Sequence, residues 1–159
     1  METLKDPVCC PKFDPIPWNE KYFEWKDKIF VKGSVCTFFY MPLNYGSVMK
    51  KLDKAITVAS SDWSEAICLS DQTSKWNMDI YISVDKAVNT LENKIFTGKY
   101  YSKVYEGPFR ECGKWILDFN QHLVSKGYNP VKVYSWYTTC PKCAKKYGKN
   151  YVVMVAEVS

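Results

Sequence analysis

Glu157 is the one acidic residue in the run YVVMVAEV, residues 151–158. On a strand it shares a side with Tyr151, Val153 and Val155. A carboxylate buried there would be held toward its protonated form, suited to acid–base work or to meeting a ligand cation. An exposed charge two positions before Ser159 fits the same spacing. Glu106 ends the run TGKYYSKVYE (97–106), beside Gly107-Pro108. It either aims into a groove or favours the N-terminal end of the helix that follows. Asp79 and Tyr81 alternate in MDIYISV (78–84), opposite an apolar set of Met78, Ile80, Ile82 and Val84. With Trp63 and Trp76 in flanking loops they form a candidate aromatic wall with an acidic floor, suited to a cation. Tyr105, Trp136 and Tyr137 are candidates for a facing wall, although Trp136 and Tyr137 fall on opposite faces of one strand.

Cys140 and Cys143 form one CxxC within TTCPKCAKKYGKNY (138–151). One such pair is half of a tetrahedral zinc site. Cys9 and Cys10 are the candidates for the other half, brought back by an N-terminal arm; free thiols are the alternative. A redox role is less expected, because the pair falls in a hairpin loop and not at a helix N-terminus. His122, the only histidine, reads as a helix residue and not as a catalyst. No serine-hydrolase or metalloprotease signature is present.

The elements that must position these residues follow from spacing. Prolines 7, 11, 15 and 17, interleaved with aromatics, mark residues 1–27 as an ordered arm without regular structure before about Asn19. The rest, residues 28–159, reads as one domain of two β-α-β-β halves, at about 34–90 and 95–159. In the first half, strand 34–41 leads through an Asn44 cap to a helix with Val48, Leu52 and Ile56 on one stripe. Strands 66–70 and 78–84 follow, joined by the loop DQTSKWN. The second half has strand 97–106, a helix from Pro108 to Lys126 capped by Gly127, then strands 131–139 and 151–158. An offset of 67 carries Val48, Leu52 and Ile56 onto Trp115, Phe119 and Leu123. The expected fold is α+β, a duplicated β-α-β-β (SHS2-type) arrangement with pseudo-twofold symmetry. Its sheet is mainly antiparallel, with two helices on one face.

Composition narrows the partners. The 159 residues are 16% aromatic and carry a net charge of +5, almost all from lysine, since Arg110 is the only arginine. Nucleic-acid readers favour arginine for its bidentate fork, so nucleic acid is not the expected partner. METLKDPVCC has no apolar signal core and no apolar run approaches membrane-spanning length. The expectation is a cytoplasmic protein, monomer or homodimer, with no membrane partner.

The segments CCPKFDPIPW (9–18), MPLNYGSVMKK (41–51), LSDQTSKW (69–76), KVYEGPFRECGKW (103–115) and YTTCPKCAKKYGKNYVV (137–153), within this duplicated order, resemble the GyrI-like small-molecule-binding family. They are most similar to a subfamily of uncharacterised single-domain members, often labelled as hydrolases. The resemblance implies binding of an amphipathic, often cationic aromatic molecule. Its alternative implication is hydrolysis of strained, cyclopropanoid-type electrophiles, with Glu157 or Glu106 activating water and a tyrosine holding the leaving oxygen. A third reading, from the cysteines, is a zinc-clamped interaction module. No cofactor is required by the first two; a structural zinc belongs to the third. No DNA-binding domain accompanies the expected fold, so a one-component transcription regulator is not expected.

Overall fold

The structure, a computed structural model, describes residues 14–39, 41–59, 67–138, 148 and 150–159. The chain divides into two compact units, Phe23–Tyr100 and Met1–Tyr22 with Tyr101–Ser159.

The strands and helices of the first unit are β1 (Lys21–Phe38), β2 (Met41–Pro42), α1 (Tyr45–Val58), β3 (Cys68–Ser74), β4 (Asn77–Ser83) and the opening of β5 (Glu92–Glu106). Asn44 holds the N-cap position of α1, as its type predicts, but its side chain does not cap the helix. Its Oδ1 accepts instead from the Cys36 amide at 2.8 Å, which fastens the helix start to β1. The stripe Val48, Leu52, Ile56 packs as its spacing requires: Leu52 and Ile56 are buried with Val31, Val35, Met78, Ile80 and Ile82. Gly33 permits this approach, because a Cβ there would stand 2.9 Å from Leu52 Cδ1.

The pairs β1–β2, β1–β4 and β3–β4 are antiparallel. β1 pairs with β4 from Phe30 opposite Ser83 to Cys36 opposite Asn77, and β3 pairs with β4 from Cys68 opposite Ile82 to Ser74 opposite Asn77. Several boundaries differ from the sequence expectation: the first strand ends at Phe38, not 41, and β5 opens at Glu92, not 97. β1 starts at Lys21, not near residue 34, and β3 continues to Ser74, leaving only Lys75-Trp76 as the turn. In β3 the polar residues Asp71, Gln72 and Ser74 continue the ladder, because backbone pairing needs amides and carbonyls, not apolar side chains.

In the second unit β5 ends at Glu106, and a single 3-10 turn at Phe109–Glu111 leads into α2 (Cys112–Ser125). Gly127 takes φ +83 after the helix, the left-handed conformation expected of a C-terminal glycine. The Tyr128 amide then returns to Leu123 O at 2.9 Å. β6 (Pro130–Tyr137) and β7 (Tyr151–Val158) are antiparallel, with Trp136 opposite Val153, Tyr134 opposite Val155 and Lys132 opposite Glu157. Val152, Met154, Ala156 and Val158 pack with Phe119 and Leu123 of α2. The described part of the N-terminal stretch forms a 3-10 turn at Ile16–Trp18. Trp18 O accepts from Ser102 Oγ at 2.6 Å, and the Trp18 ring meets Trp136 edge-on at 5.0 Å.

Among the described residues the chain is therefore α+β, with two α-helices and antiparallel strand pairs. The first unit runs β1, β2, α1, β3, β4 and the second runs from the end of β5 through α2 to β6 and β7, and in each the helix covers one face of its own strands. No helix among the described residues is long and apolar enough to cross a membrane.

Candidate functional site

Antiparallel register puts directly opposed residues on the same face of a sheet. In the unit Phe23–Tyr100 this gathers Asp79 of β4, Ser34 of β1 and Asp71 of β3, with Tyr81 one step along between Lys32 and Leu69. The face lies away from α1. Asp79 Oδ1 accepts from Ser34 Oγ and Asn77 Nδ2, both at 3.1 Å, while Oδ2 lies 3.7 Å from Lys32 Nζ. Those bonds fix the carboxylate, whose side chain is 13% exposed. Lys32 also reaches Glu92 at 3.6 Å. Asp79, followed by Tyr81, pushes the Lys32 ammonium above its ordinary value, so it stays charged.

Tyr81 meets Phe96 edge-on at 5.5 Å. Phe96 packs on Phe30 at 4.6 Å and stacks on Tyr100 at 6.4 Å, and Tyr100 lies 4.5 Å from Trp25. The arrangement is an oriented carboxylate at the margin of a continuous aromatic cluster. Its chemistry is attraction: ring faces and a fixed carboxylate both favour a positive group that carries apolar surface. Asp71 adds a second, buried carboxylate opposite Asp79. Like charges so placed repel, and Lys32, 3.7 Å from Asp79, is one cation already beside them.

Asp79 and Tyr81 are thus brought together, as their alternation predicts. Trp76 is elsewhere: it stands at the hairpin tip, 54% exposed, against Phe38 at 5.7 Å and Phe39 at 5.1 Å. Trp63, Cys9, Cys10, Cys140 and Cys143 lie outside the described residues. Sequence reasoning missed Lys32, Ser34, Asp71 and Phe96. The signal for Asp71 was present, since it stands two residues beyond Leu69 on the same alternation, but reading DQTSKWN as a loop concealed it.

The other sequence candidates belong to the second unit. Tyr105 is on the α2 side, stacked on Trp115 at 5.7 Å, and its hydroxyl donates to Asp118 at 2.5 Å. Lys103 reaches the same carboxylate at 3.1 Å. Burial first, then the bond to Asp118, pushes the Tyr105 hydroxyl far above its ordinary value. The bonds from Tyr105 and Lys103 hold Asp118 below its own. Tyr137, also on the helix side, shares a hydrogen bond with Cys112 and is pushed up to about 12, chiefly by burial. Burial likewise raises the Cys112 thiol, so it is not a poised nucleophile at neutral pH. Trp136 lies on the opposite face with Val153, Tyr134 and Val155. Glu157 is half-buried with Lys132 opposite, and Glu106 is exposed.

One contact was not expected. His122 Nε2 lies 2.9 Å from the Tyr101 hydroxyl and 4.0 Å from Glu20 Oε1. Both partners use the same ring nitrogen, so this is not a nucleophile–base–orienter relay, which needs one partner on each. Burial raises the Tyr101 hydroxyl, which suits a hydrogen-bond donor more than a nucleophile. Among the described residues no group of three or more His, Cys, Asp or Glu is placed to hold a metal ion.

Solved structures share this fold. The chain aligns with the EcmrR C-terminal domain at a TM-score of 0.68 and 10% identity, over 89% of this chain and 98% of that one. A hydrolase from Listeria innocua aligns at 0.59 and 10% identity, over 89% and 92%. SAV2435 bound to tetraphenylphosphonium aligns at 0.51 and 11% identity, over 89% and 94%. These likenesses define the class by fold alone, the α+β fold of those proteins. The chain belongs to the family described as "Bacterial hydrolase", whose family model matches residues 1–158. No curated protein matches the sequence.

Proposed function

We propose that the protein binds an amphipathic aromatic cation, with Asp79 as the charge partner and the Tyr81–Phe96 rings as the apolar wall. The observation that carries this reading is the Asp79 carboxylate, held by Ser34 and Asn77 beside buried aromatic rings. A fold neighbour bound to tetraphenylphosphonium, an aromatic cation, supports it. The test is calorimetric titration with tetraphenylphosphonium against a neutral aromatic of similar size. Saturable binding of the cation, weakened in Asp79→Asn, supports the reading; equal uptake of both compounds by both proteins overturns it.

The family description favours a second reading, hydrolysis. In it Glu157 or Glu106 activates water, and a tyrosine kept protonated donates to the leaving oxygen. Turnover of an electrophilic cyclopropane that survives both Glu157→Gln and Glu106→Gln would remove this assignment. The finer architecture proposed is the duplicated β-α-β-β (SHS2-type) pattern behind an arm at residues 1–27, supported by the repeated element order. A cytoplasmic site of action completes the proposal; a structural zinc on Cys9, Cys10, Cys140 and Cys143 belongs to the separate reading of a zinc-clamped interaction module, with free thiols as its alternative. Metal analysis of the purified protein and of Cys140→Ser tests the zinc.

A further inference from the structure

β1 contains an irregularity with a chemical consequence. On an uninterrupted strand residues 25 and 28 point to opposite faces, because side chains alternate with period two. Here Lys28 Nζ lies over the Trp25 ring, 5.9 Å from its centroid. Between them Asp27 adopts φ +51, a left-handed conformation that non-glycine residues seldom take. It is fixed there by its amide, which donates to Thr97 Oγ1 at 2.9 Å, and by Thr97 Oγ1 donating to Asp27 Oδ1 at 3.4 Å. One left-handed residue re-aims the chain and brings the ammonium over the indole. The same bend walls an open cavity of about 360 Å³, lined among others by Glu24, Trp25, Lys28, Val84 and Asp85.

Trp25 is also a member of the aromatic cluster, 4.5 Å from Tyr100 and 5.1 Å from Phe23. Its ring is thus held by neighbours while Lys28 covers part of it from the cavity. Three acidic residues, Glu24, Asp27 and Asp85, line the cavity beside two lysines, Lys26 and Lys28. A ring face held by its own cluster, a lining with more acidic than basic residues and an open space beside the ring suit an organic ammonium ion. A quaternary ammonium is also less strongly hydrated than a lysine ammonium, so it loses less on leaving water for the ring.

We propose that this cavity is a second binding site, for the quaternary or alkylated ammonium headgroup of a small molecule, and that Lys28 holds the place of that cation on Trp25 until it is displaced. The site touches the same aromatic cluster through Trp25, but it uses neither Asp79 nor Tyr81, and the test separates the two.

The test is an NMR titration of the full chain with tetramethylammonium chloride, using sodium chloride at equal ionic strength as reference. The Trp25 indole signal is identified by its loss in Trp25→Phe. The expected result is a saturable shift of that signal in the wild type. In Lys28→Ala binding tightens about two- to five-fold, the size of one exposed cation–π contact. Lys26→Ala removes the same charge from the same cavity but no ammonium from the Trp25 ring, so on this proposal it tightens binding less than Lys28→Ala does. Equal tightening in Lys26→Ala and Lys28→Ala would reduce the effect to net charge and overturn the proposal. So would a linear, unsaturated shift in both the wild type and Lys28→Ala. Loss of aromatic-cation binding in Asp79→Asn, with the tetramethylammonium response intact, separates this site from the first.

Discussion

Asp71 and Asp79 stand directly opposite each other on β3 and β4. Asp79 is braced by Ser34 and Asn77 and lies within 3.7 Å of Lys32. Replacing Asp79 by Asn keeps the shape and the bond from Ser34 but removes the charge. The expected loss is about 1–2 kcal/mol of aromatic-cation affinity, roughly five- to thirty-fold, with little change for a neutral aromatic. Calorimetry on both proteins at one ionic strength reads it. Because the Asp71–Asp79 repulsion is also removed, the thermal midpoint of Asp79→Asn should not fall in proportion to the affinity.

Much of this site could be read from alternation alone. Asp79 and Tyr81 share a face of β4 because side chains alternate, and Met78, Ile80 and Ile82 enter the core for the same reason. The helices were legible too: Leu52 and Ile56, and Phe119 and Leu123, are buried where a period of 3.6 puts them. What alternation cannot supply is the neighbour across the ladder. Lys32, Ser34 and Asp71 reach Asp79 through register, which is a tertiary property. Asn44 shows a related limit. Its type suits a cap, yet its side chain serves a strand amide, because Cys36 comes within 2.8 Å only in the fold. His122 was discounted as a helix residue, and nothing local in the sequence announces Tyr101 at 2.9 Å.

Ile56 is fully buried in the core of the unit Phe23–Tyr100. Ile56→Ala deletes three carbons from a packed site and should cost about 2–5 kcal/mol of unfolding free energy. Urea denaturation monitored by circular dichroism measures it. Ile56→Val should cost only about 0.5–1.5 kcal/mol. A cost for Ile56→Ala below that of Ile56→Val would mean that the α1 stripe is not the core described.

Asp118 is held below its ordinary value of 3.8 by hydrogen bonds from Tyr105 and Lys103. A depressed carboxylate contributes stability that is complete above the unfolded value and is lost as pH falls through the folded one. Asp118→Asn should therefore be less stable than the wild type near neutral pH, and the difference should shrink as pH falls below about 4. Urea midpoints of the two proteins at several pH values test this. The carboxylate is half-exposed, so a high-salt buffer should narrow the neutral-pH difference as well.

The tyrosines act at the other end of the pH scale. Burial pushes Tyr137 up to about 12 from an ordinary 10.0. A phenol whose folded value is raised keeps its proton in the native state after the unfolded chain has released it. Above pH 10 the unfolded state binds fewer protons, so stability is complete below that point and falls as pH climbs toward 12. In Tyr137→Phe the hydroxyl bond to Cys112 is gone and the variant should be weaker at pH 8, by about 0.5–1.5 kcal/mol for one hydrogen bond. Its stability should then decline less steeply than the wild type's between about pH 10 and 12. Urea midpoints across that range decide the matter, and parallel declines in the two proteins would show that Tyr137 ionises in the native state as readily as in the unfolded chain.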